Sequence, residues 1–153
     1  EAYMGKYHFI IIGSGWRSLY YVRIAKAMPD ILRLDAMYCR TQEKADKMAE
    51  EFSIHTTTSI EECVGYKPDF AVVAVNKTSI CDVSIEWMDR GITVLSETPA
   101  ALDMDSLKSY TDIICLMIKQ IRNRLLLNNT GNIHIIKHGL ILLIVVYLAI
   151  SVV

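Results

Sequence analysis

The feature that most constrains this chain is a largely apolar run at residues 7–12 that leads directly into Gly-Ser-Gly at residues 13–15. A short apolar run rich in isoleucine is typical of a strand that is buried on both faces of a parallel sheet. After the glycines, apolar residues recur at helical spacing from residue 16 to residue 28, and Pro29 ends the pattern. We therefore predict a strand, a glycine turn and a helix in succession.

The alternation of strand and helix patterns continues along the chain. Ser59, with Glu62 three residues later, marks the N-cap of one short helix. Strands that alternate with helices of this length form a parallel sheet with right-handed crossovers, so the predicted fold is α/β, a doubly wound Rossmann sheet. The further strand patterns cover residues 32–39, 54–57, 69–75 and 93–96, and the further helix patterns cover residues 42–52, 59–64 and 78–90.

Composition limits the possible partners. The chain has 153 residues, enough for one domain with a real core, and its formal net charge of -1 gives no electrostatic reason to bind nucleic acid. Its 4 cysteines lie far apart without a CxxC pair, so we expect no metal site and no disulfide framework. Reduced cysteines, together with a polar first segment that lacks a secretory pattern, favour a cytoplasmic location.

Chemistry in such a sheet is expected where strands end, because parallel strands present their carboxyl ends at one edge. In the Gly-Ser-Gly turn, the first glycine permits a tight turn, the second permits close approach of a pyrophosphate, and the following helix offers free amide groups to the anion. Ser18 takes the place of the third glycine of such turns. The predicted pyrophosphate-binding residues are Gly13, Ser14, Gly15, Trp16 and Arg17.

The end of the second strand is expected to contact the adenosine ribose. NAD-specific proteins usually place Asp or Glu there, whereas this chain has Cys39, Arg40 and Thr41. Asp35 lies too early, inside the strand. A guanidinium group can pair with a 2'-phosphate, and the Thr41 hydroxyl can donate a further hydrogen bond. Arg40 and Thr41 therefore favour NADP over NAD as the cofactor, and a solvated loop arginine is the alternative.

Four stretches of sequence, in this order, resemble the glucose-fructose oxidoreductase, inositol dehydrogenase and MocA (Gfo/Idh/MocA) family. They are Gly-Ser-Gly-Trp-Arg from residue 13, Cys-Arg-Thr from residue 39, Pro-Asp-Phe-Ala-Val-Val-Ala-Val from residue 68, and Val-Leu-Ser-Glu-Thr-Pro-Ala from residue 94. The resemblance implies an NAD(P)-dependent oxidoreductase that transfers hydride to or from a sugar, inositol or a related polyol derivative. It also implies an oligomer at full length.

The fourth of these stretches contains Glu-Thr-Pro at residues 97–99, which matches the family's Glu-Lys-Pro, and the resemblance places this segment beside the nicotinamide ring. Threonine replaces the lysine that is often treated as catalytic in the family, so no catalytic residue is assigned. A second family pattern, Thr-Pro followed by a histidine, falls on residues 75–80 without its histidine, and a plain helix-entry role is an equal alternative there. The cofactor contacts implied by the resemblance are Val75, Asn76, Lys77, Glu97, Thr98 and Pro99.

Composition changes near residue 113, after which acidic residues are absent and Ile, Leu and Asn dominate. The predicted NAD(P)-binding Rossmann domain therefore covers residues 6–112, and the family's second, substrate-binding domain is missing from residues 113–153. Hydride transfer needs donor and acceptor carbons in near-contact with water excluded. We therefore expect this chain alone to bind the cofactor without turnover.

The tail at residues 113–153 has three interpretations. As a membrane anchor, its apolar residues 139–153 fall short of the ~20 residues that a spanning helix needs. As a metal site, His134 and His138 have no acidic or cysteine ligand near them.

The third interpretation, which we prefer, is a frameshifted translation. One encoding of the segment expected in relatives, Val-Ala-Glu-Gln-Tyr-Trp and onward, yields residues 126–139 when it is read one nucleotide later. An alternative function, a non-catalytic nucleotide-binding or sensor module tethered by a hydrophobic tail, stays open.

Overall fold

The computed structural model describes residues 6–128, with side chains up to residue 116. A sheet of five parallel strands forms its centre. The strands are β1 (Tyr7–Ile12), β2 (Leu32–Tyr38), β3 (Thr56–Thr57), β4 (Phe70–Val73) and β5 (Val94–Ser96). The helices are α1 (Ser18–Ala27), α2 (Gln42–Phe52), α3 (Ile60–Gly65), α4 (Ile80–Asp89) and α5 (Met104–Asn128).

The order of the strands across the sheet is β3-β2-β1-β4-β5. From β1 the chain moves outward through β2 to β3, and it then returns to the other side of β1 for β4 and β5. This order confirms the predicted doubly wound α/β fold. Between β1 and β4 the connections leave in opposite directions, and in open α/β sheets ligands bind in the crevice at such a switch point.

The core forms because the central strands are apolar on both faces. Ile10 of β1 and Val73 of β4 are fully buried and belong to one cluster with Trp87 of α4. Neighbouring strand positions point to the opposite face, where the rings of Phe9 and Phe70 stack with their centroids 5.1 Å apart. The short apolar run at the start of the sequence is thus a strand that needs helices on both sides.

Several elements are shorter than their sequence patterns predict. Helix α1 begins at Ser18 rather than at residue 16, because the Ser18 amide donates to the Gly15 carbonyl (3.0 Å) in a turn that precedes the helix. Strand β4 ends at Val73 rather than at residue 75, and α4 begins at Ile80 rather than at residue 78. The trimmed residues are those that form loops at the carboxyl edge of the sheet.

The predicted N-cap of α3 is confirmed. The Ser59 hydroxyl accepts a hydrogen bond from the Glu62 amide (3.1 Å), which satisfies one of the free amides of the first helical turn. Strand β3, which precedes this helix, covers Thr56–Thr57 rather than residues 54–57. Its two residues pair with the end of β2.

No helix among residues 6–128 combines the length and the apolar character that crossing a membrane requires. Within the same residues, His, Cys, Asp and Glu side chains form no group of three that could hold a metal ion. Residues 129–153, on which the anchor, metal and frameshift hypotheses for the tail mainly rest, lie outside the described residues.

Candidate functional site

A cleft of about 630 Å³ opens where β1, β2 and β4 end. Three predicted segments line it: the glycine loop at residues 13–17, Arg40, and residues 75–77. They come from the loops after β1, β2 and β4, so the parallel sheet brings together residues that are distant in sequence. Thr41 and residues 97–99, which were also predicted to contact the cofactor, lie outside this lining.

The two glycines of the loop differ in the space that a side chain would have at each position. Gly13 has φ +113°, and a Cβ atom built on it lies 2.6 Å from the backbone oxygen of Ala74, so no side chain fits there. Gly15 also lines the cleft, and no heavy atom lies within 4 Å of a Cβ atom built on it. The first glycine is needed by the fold, whereas the second leaves room for a ligand.

Positive charge collects at the end of β2. Arg40 follows the strand, and Lys44, in the first turn of α2, also lines the cleft. Burial raises the pKa of the Cys39 thiol, and the nearby Ser14 hydroxyl and Lys44 ammonium oppose that shift. Lys44 was not predicted from the sequence, although its position four residues after Arg40 was a usable signal.

Two further residues near this strand behave differently from Arg40. Thr41 is the exposed N-cap residue of α2, where its carbonyl accepts from the Ala45 amide (3.1 Å) and its side chain makes no capping hydrogen bond. Asp35 lies inside β2 with its carboxylate fully buried, 2.8 Å from Arg33 Nε and 3.4 Å from His8 Nδ1. Asp35 thus lies inside the strand, as the sequence predicted.

The wall of the cleft beyond the end of β2 was missed by sequence reasoning. Its side chains come from β2, α3 and α4, and the rings of Tyr38 and Trp87 meet edge to face with centroids 5.9 Å apart. Helical periodicity indicates which residues of α4 face the sheet, but it does not indicate which of them reach the cleft. The residues of this wall are Tyr38, Ile60, Val83, Glu86 and Trp87.

The segment after β4 enters α4 through a turn. The Asn76 side-chain oxygen accepts from the Thr78 amide (3.3 Å), and its carbonyl accepts from the Ser79 amide (2.9 Å). Asn76 therefore organises the entry to the helix, as one of its two predicted roles requires, while it and Lys77 also line the cleft.

The segment after β5 is attached to α1. Tyr21 Oη donates to Glu97 Oε1 (2.5 Å), and Arg17 Nη1 donates to the Thr98 carbonyl (3.4 Å). Burial and the hydrogen bond to Glu97 raise the pKa of the Tyr21 phenol, so the phenol stays protonated and donates this hydrogen bond. The Thr98–Pro99 peptide bond is cis. Arg17 thus joins the glycine loop to residues 97–99.

The fold and the loop geometry agree with a comparison with known families. The family model for the Gfo/Idh/MocA oxidoreductases, described as an NAD-binding Rossmann fold, matches residues 7–117. The chain belongs to this family. The described part of this Gfo/Idh/MocA chain is therefore an NAD-binding Rossmann domain, and its cleft lies where the fold binds a dinucleotide.

Solved structures with this fold include sugar and inositol dehydrogenases. The WlbA dehydrogenase from Bordetella pertussis, in complex with NADH and UDP-GlcNAcA, has TM-score 0.66 and 18% identity over 73% of this chain and 34% of that one. UDP-N-acetylglucosamine 3-dehydrogenase GnnA from Acidithiobacillus ferrooxidans has TM-score 0.64 and 18% identity over 74% of this chain and 36% of that one. Myo-inositol 2-dehydrogenase from Lactobacillus plantarum has TM-score 0.62 and 17% identity over 74% and 34%.

These likenesses show a shared fold. The chain spans about a third of the length of the solved structures that it matches, between 34% and 36% for the three named above. No curated protein matches the chain.

Proposed function

We propose that the cleft binds NADP in preference to NAD, and that the chain is the nucleotide-binding part of an oxidoreductase. In this proposal, residues 6–112 form the dinucleotide-binding domain. The pyrophosphate lies over the glycine loop, where Gly15 leaves open space and amide groups precede α1. That open space beside a glycine, in a loop whose other glycine is required by the fold, is the observation that carries the proposal.

The preference for NADP rests on the two cations at the end of β2. Arg40 and Lys44 line the same end of the cleft, and the one carboxylate of β2 is buried in the strand beside Arg33. A 2'-phosphate adds negative charge that a guanidinium binds with paired hydrogen bonds and an ammonium attracts as a point charge. NAD lacks this phosphate and gains nothing from either group.

Replacing Arg40 tests this preference. Arg40→Ala is expected to weaken NADP binding about 10- to 100-fold, because hydrogen bonds between charged groups are lost, while NAD binding changes little. Lys44→Ala acts in the same direction with a smaller effect. Isothermal titration with each dinucleotide gives the two dissociation constants.

Lys47→Ala is the matched control, because Lys47 lies on the same helix, is exposed and does not line the cleft. Equal weakening of NAD and NADP in Arg40→Ala would contradict the assignment to the 2'-phosphate. An unchanged NADP affinity would reduce Arg40 to a solvated loop residue.

We propose further that the parent enzyme transfers hydride to or from a sugar, inositol or a related polyol derivative. The support is the family, together with neighbours described as acting on UDP-N-acetylglucosamine and on myo-inositol. Within the described residues, residues 97–99 lie outside the lining of the cleft, and hydride transfer needs a nicotinamide face that is shielded from water, so we expect binding without turnover. No absorbance of reduced nicotinamide should appear when the chain is mixed with NADP and either UDP-N-acetylglucosamine or myo-inositol.

A second candidate function is a non-catalytic nucleotide-binding or sensor module. Thr98 favours it, because threonine stands where family members carry a lysine that is often treated as catalytic. Sequencing the encoding DNA beyond the codon for Ser109 in all three frames separates the candidates. A hidden frame that continues into a second domain supports the enzyme and a frameshifted tail, whereas confirmation of the present frame supports the module.

A further inference from the structure

Phosphate binding explains the basic side chains of the cleft but not the acidic one. Among the described residues, its lining carries the basic side chains Arg17, Arg40, Lys44 and Lys77, but a single acidic side chain, Glu86. A carboxylate repels phosphate groups and cannot donate a hydrogen bond to them. Glu86 is therefore suited to a hydrogen-bond donor on another part of the ligand.

Glu86 is held in place from one side only. Arg90 Nη2 lies 3.0 Å from Glu86 Oε1, and Arg90 Nη1 donates to the Glu86 carbonyl (2.5 Å). The Arg90 guanidinium also lies over the ring of Trp87, 5.7 Å from its centroid. In the described part of the chain, Oε2 of Glu86 accepts no hydrogen bond, so one carboxylate oxygen is free for a ligand.

The surroundings of Glu86 suit a flat apolar ring. Ile60 of α3 and Val83 of α4 are partly buried side chains that pack on the core cluster and also line the cleft. Trp87, next to Glu86, is fully buried, and Tyr38 at the end of β2 meets its ring. A heterocycle between such side chains loses contact with water on its faces, while its polar edge still needs partners.

The arrangement of the cleft indicates which part of a dinucleotide reaches this wall. If the pyrophosphate lies on the glycine loop and the ribose 2' position faces Arg40 and Lys44, the base lies beyond the end of β2. This step rests on the function proposed above. Tyr38, the last residue of β2, meets the ring of Trp87, the neighbour of Glu86, so the wall that contains Glu86 adjoins the end of this strand.

We infer that Glu86 is a specificity-determining residue for the base, and that its free carboxylate oxygen accepts a hydrogen bond from the exocyclic amine of adenine. Hypoxanthine carries a keto oxygen in place of that amine, and two acceptors repel each other. The cleft therefore selects adenine dinucleotides over their hypoxanthine analogues. Arg90 is the positioning residue that holds the other carboxylate oxygen.

The test compares NAD with nicotinamide hypoxanthine dinucleotide on the full chain by isothermal titration. We expect the unaltered chain to bind NAD up to about tenfold more tightly than the hypoxanthine analogue, because the carboxylate is charged but its side chain is 46% exposed and water screens the hydrogen bond. Glu86→Gln keeps the shape but adds an amide donor that can serve the keto oxygen, so the ratio of the two dissociation constants should fall towards one. Asp82→Asn is the control, since Asp82 is exposed on the same helix and does not line the cleft.

The ratios of dissociation constants separate a role of Glu86 at the base from other roles. An unchanged ratio in Glu86→Gln overturns the inference and leaves Glu86 as the partner of Arg90 in a helical ion pair. A change in the ratio of NAD to NADP affinity, without a change in the base ratio, also overturns it, because Glu86 would then contact the ribose. If the unaltered chain binds neither NAD nor NADP, the proposed function itself fails, and the inference falls with it.

Discussion

The loops after β1 and β2 and the segment after β5 lie along the same edge of the sheet, yet only the loops line the cleft. Strand β4, beside the cleft, is fully buried, whereas the three residues of β5 are all partly exposed. Residues 97–99 are partly buried or exposed and are held by hydrogen bonds. The Glu97 amide donates to the Val73 carbonyl of β4 (3.1 Å), Tyr21 of α1 donates to the Glu97 carboxylate, and Arg17 donates to the Thr98 carbonyl. The nucleotide-binding side of the edge is built into the core, while the side expected to face the nicotinamide is attached to it by polar contacts.

The largest effects are expected at the two glycines of the loop. Gly13→Ala is expected to lower the free energy of unfolding by more than about 2 kcal/mol, because the side chain meets Ala74 at a positive φ. Gly15→Ala is expected to leave unfolding within about 1 kcal/mol but to weaken dinucleotide binding at least about tenfold, because its methyl group enters the cleft. Urea denaturation and titration calorimetry measure the two effects.

Each glycine variant is the control for the other. Strong destabilisation by Gly15→Ala would mean that the space beside it is not available in solution. Full NADP affinity in Gly15→Ala would remove the glycine loop as the pyrophosphate site, whatever its effect on the cations at the end of β2.

Tyr21→Phe tests the hydrogen bond that holds the segment after β5. The change removes the donor to Glu97 but keeps the ring, so the free energy of unfolding should fall by about 1–3 kcal/mol. If residues 97–99 contact the nicotinamide half, NADP affinity should fall with it, whereas affinity for adenosine 2',5'-bisphosphate should not change. Titration with both ligands distinguishes the nicotinamide half of the site from the adenosine half. Equal losses of affinity for both ligands would show that Tyr21 supports the cleft as a whole.

The smallest expected effect is on thermal stability at acidic pH. Hydrogen bonds from Thr57, His55 and Tyr66 lower the pKa of Glu62 from 4.5 to about 2. Because the folded-state pKa is the lower one, this contribution to stability is present above about pH 4.5 and is lost as the pH falls towards 2. Glu62→Gln should therefore flatten the fall in thermal stability between those pH values, while Glu50→Gln, exposed on α2, should not.

Glu62 belongs to α3, which supplies Ile60 to the cleft. Acid should thus loosen the part of the cleft wall that α3 supplies. An identical pH dependence in Glu62→Gln and the unaltered chain would contradict the assigned role of its three hydrogen bonds.

Much of the fold was predictable because its signals are local. The apolar strand, the glycine turn and the Ser59 cap depend on neighbouring residues, and each appears in the structure where the pattern indicated it. The ends of β4 and α4 were predicted less well, because the residues between them, such as Asn76, form hydrogen bonds in a turn that periodicity does not report.

Short-range spacing and backbone chemistry were sufficient to predict the succession of strands and helices along the chain, the glycine loop and the cation after β2. Only the tertiary structure decided which side chains meet at the cleft, among them Lys44 and Glu86. It also joined Tyr21 to Glu97 across 76 positions of the chain. Contacts of that kind depend on how separate elements pack, and hydrophobic spacing along one element carries no information about the side chain that faces it from another.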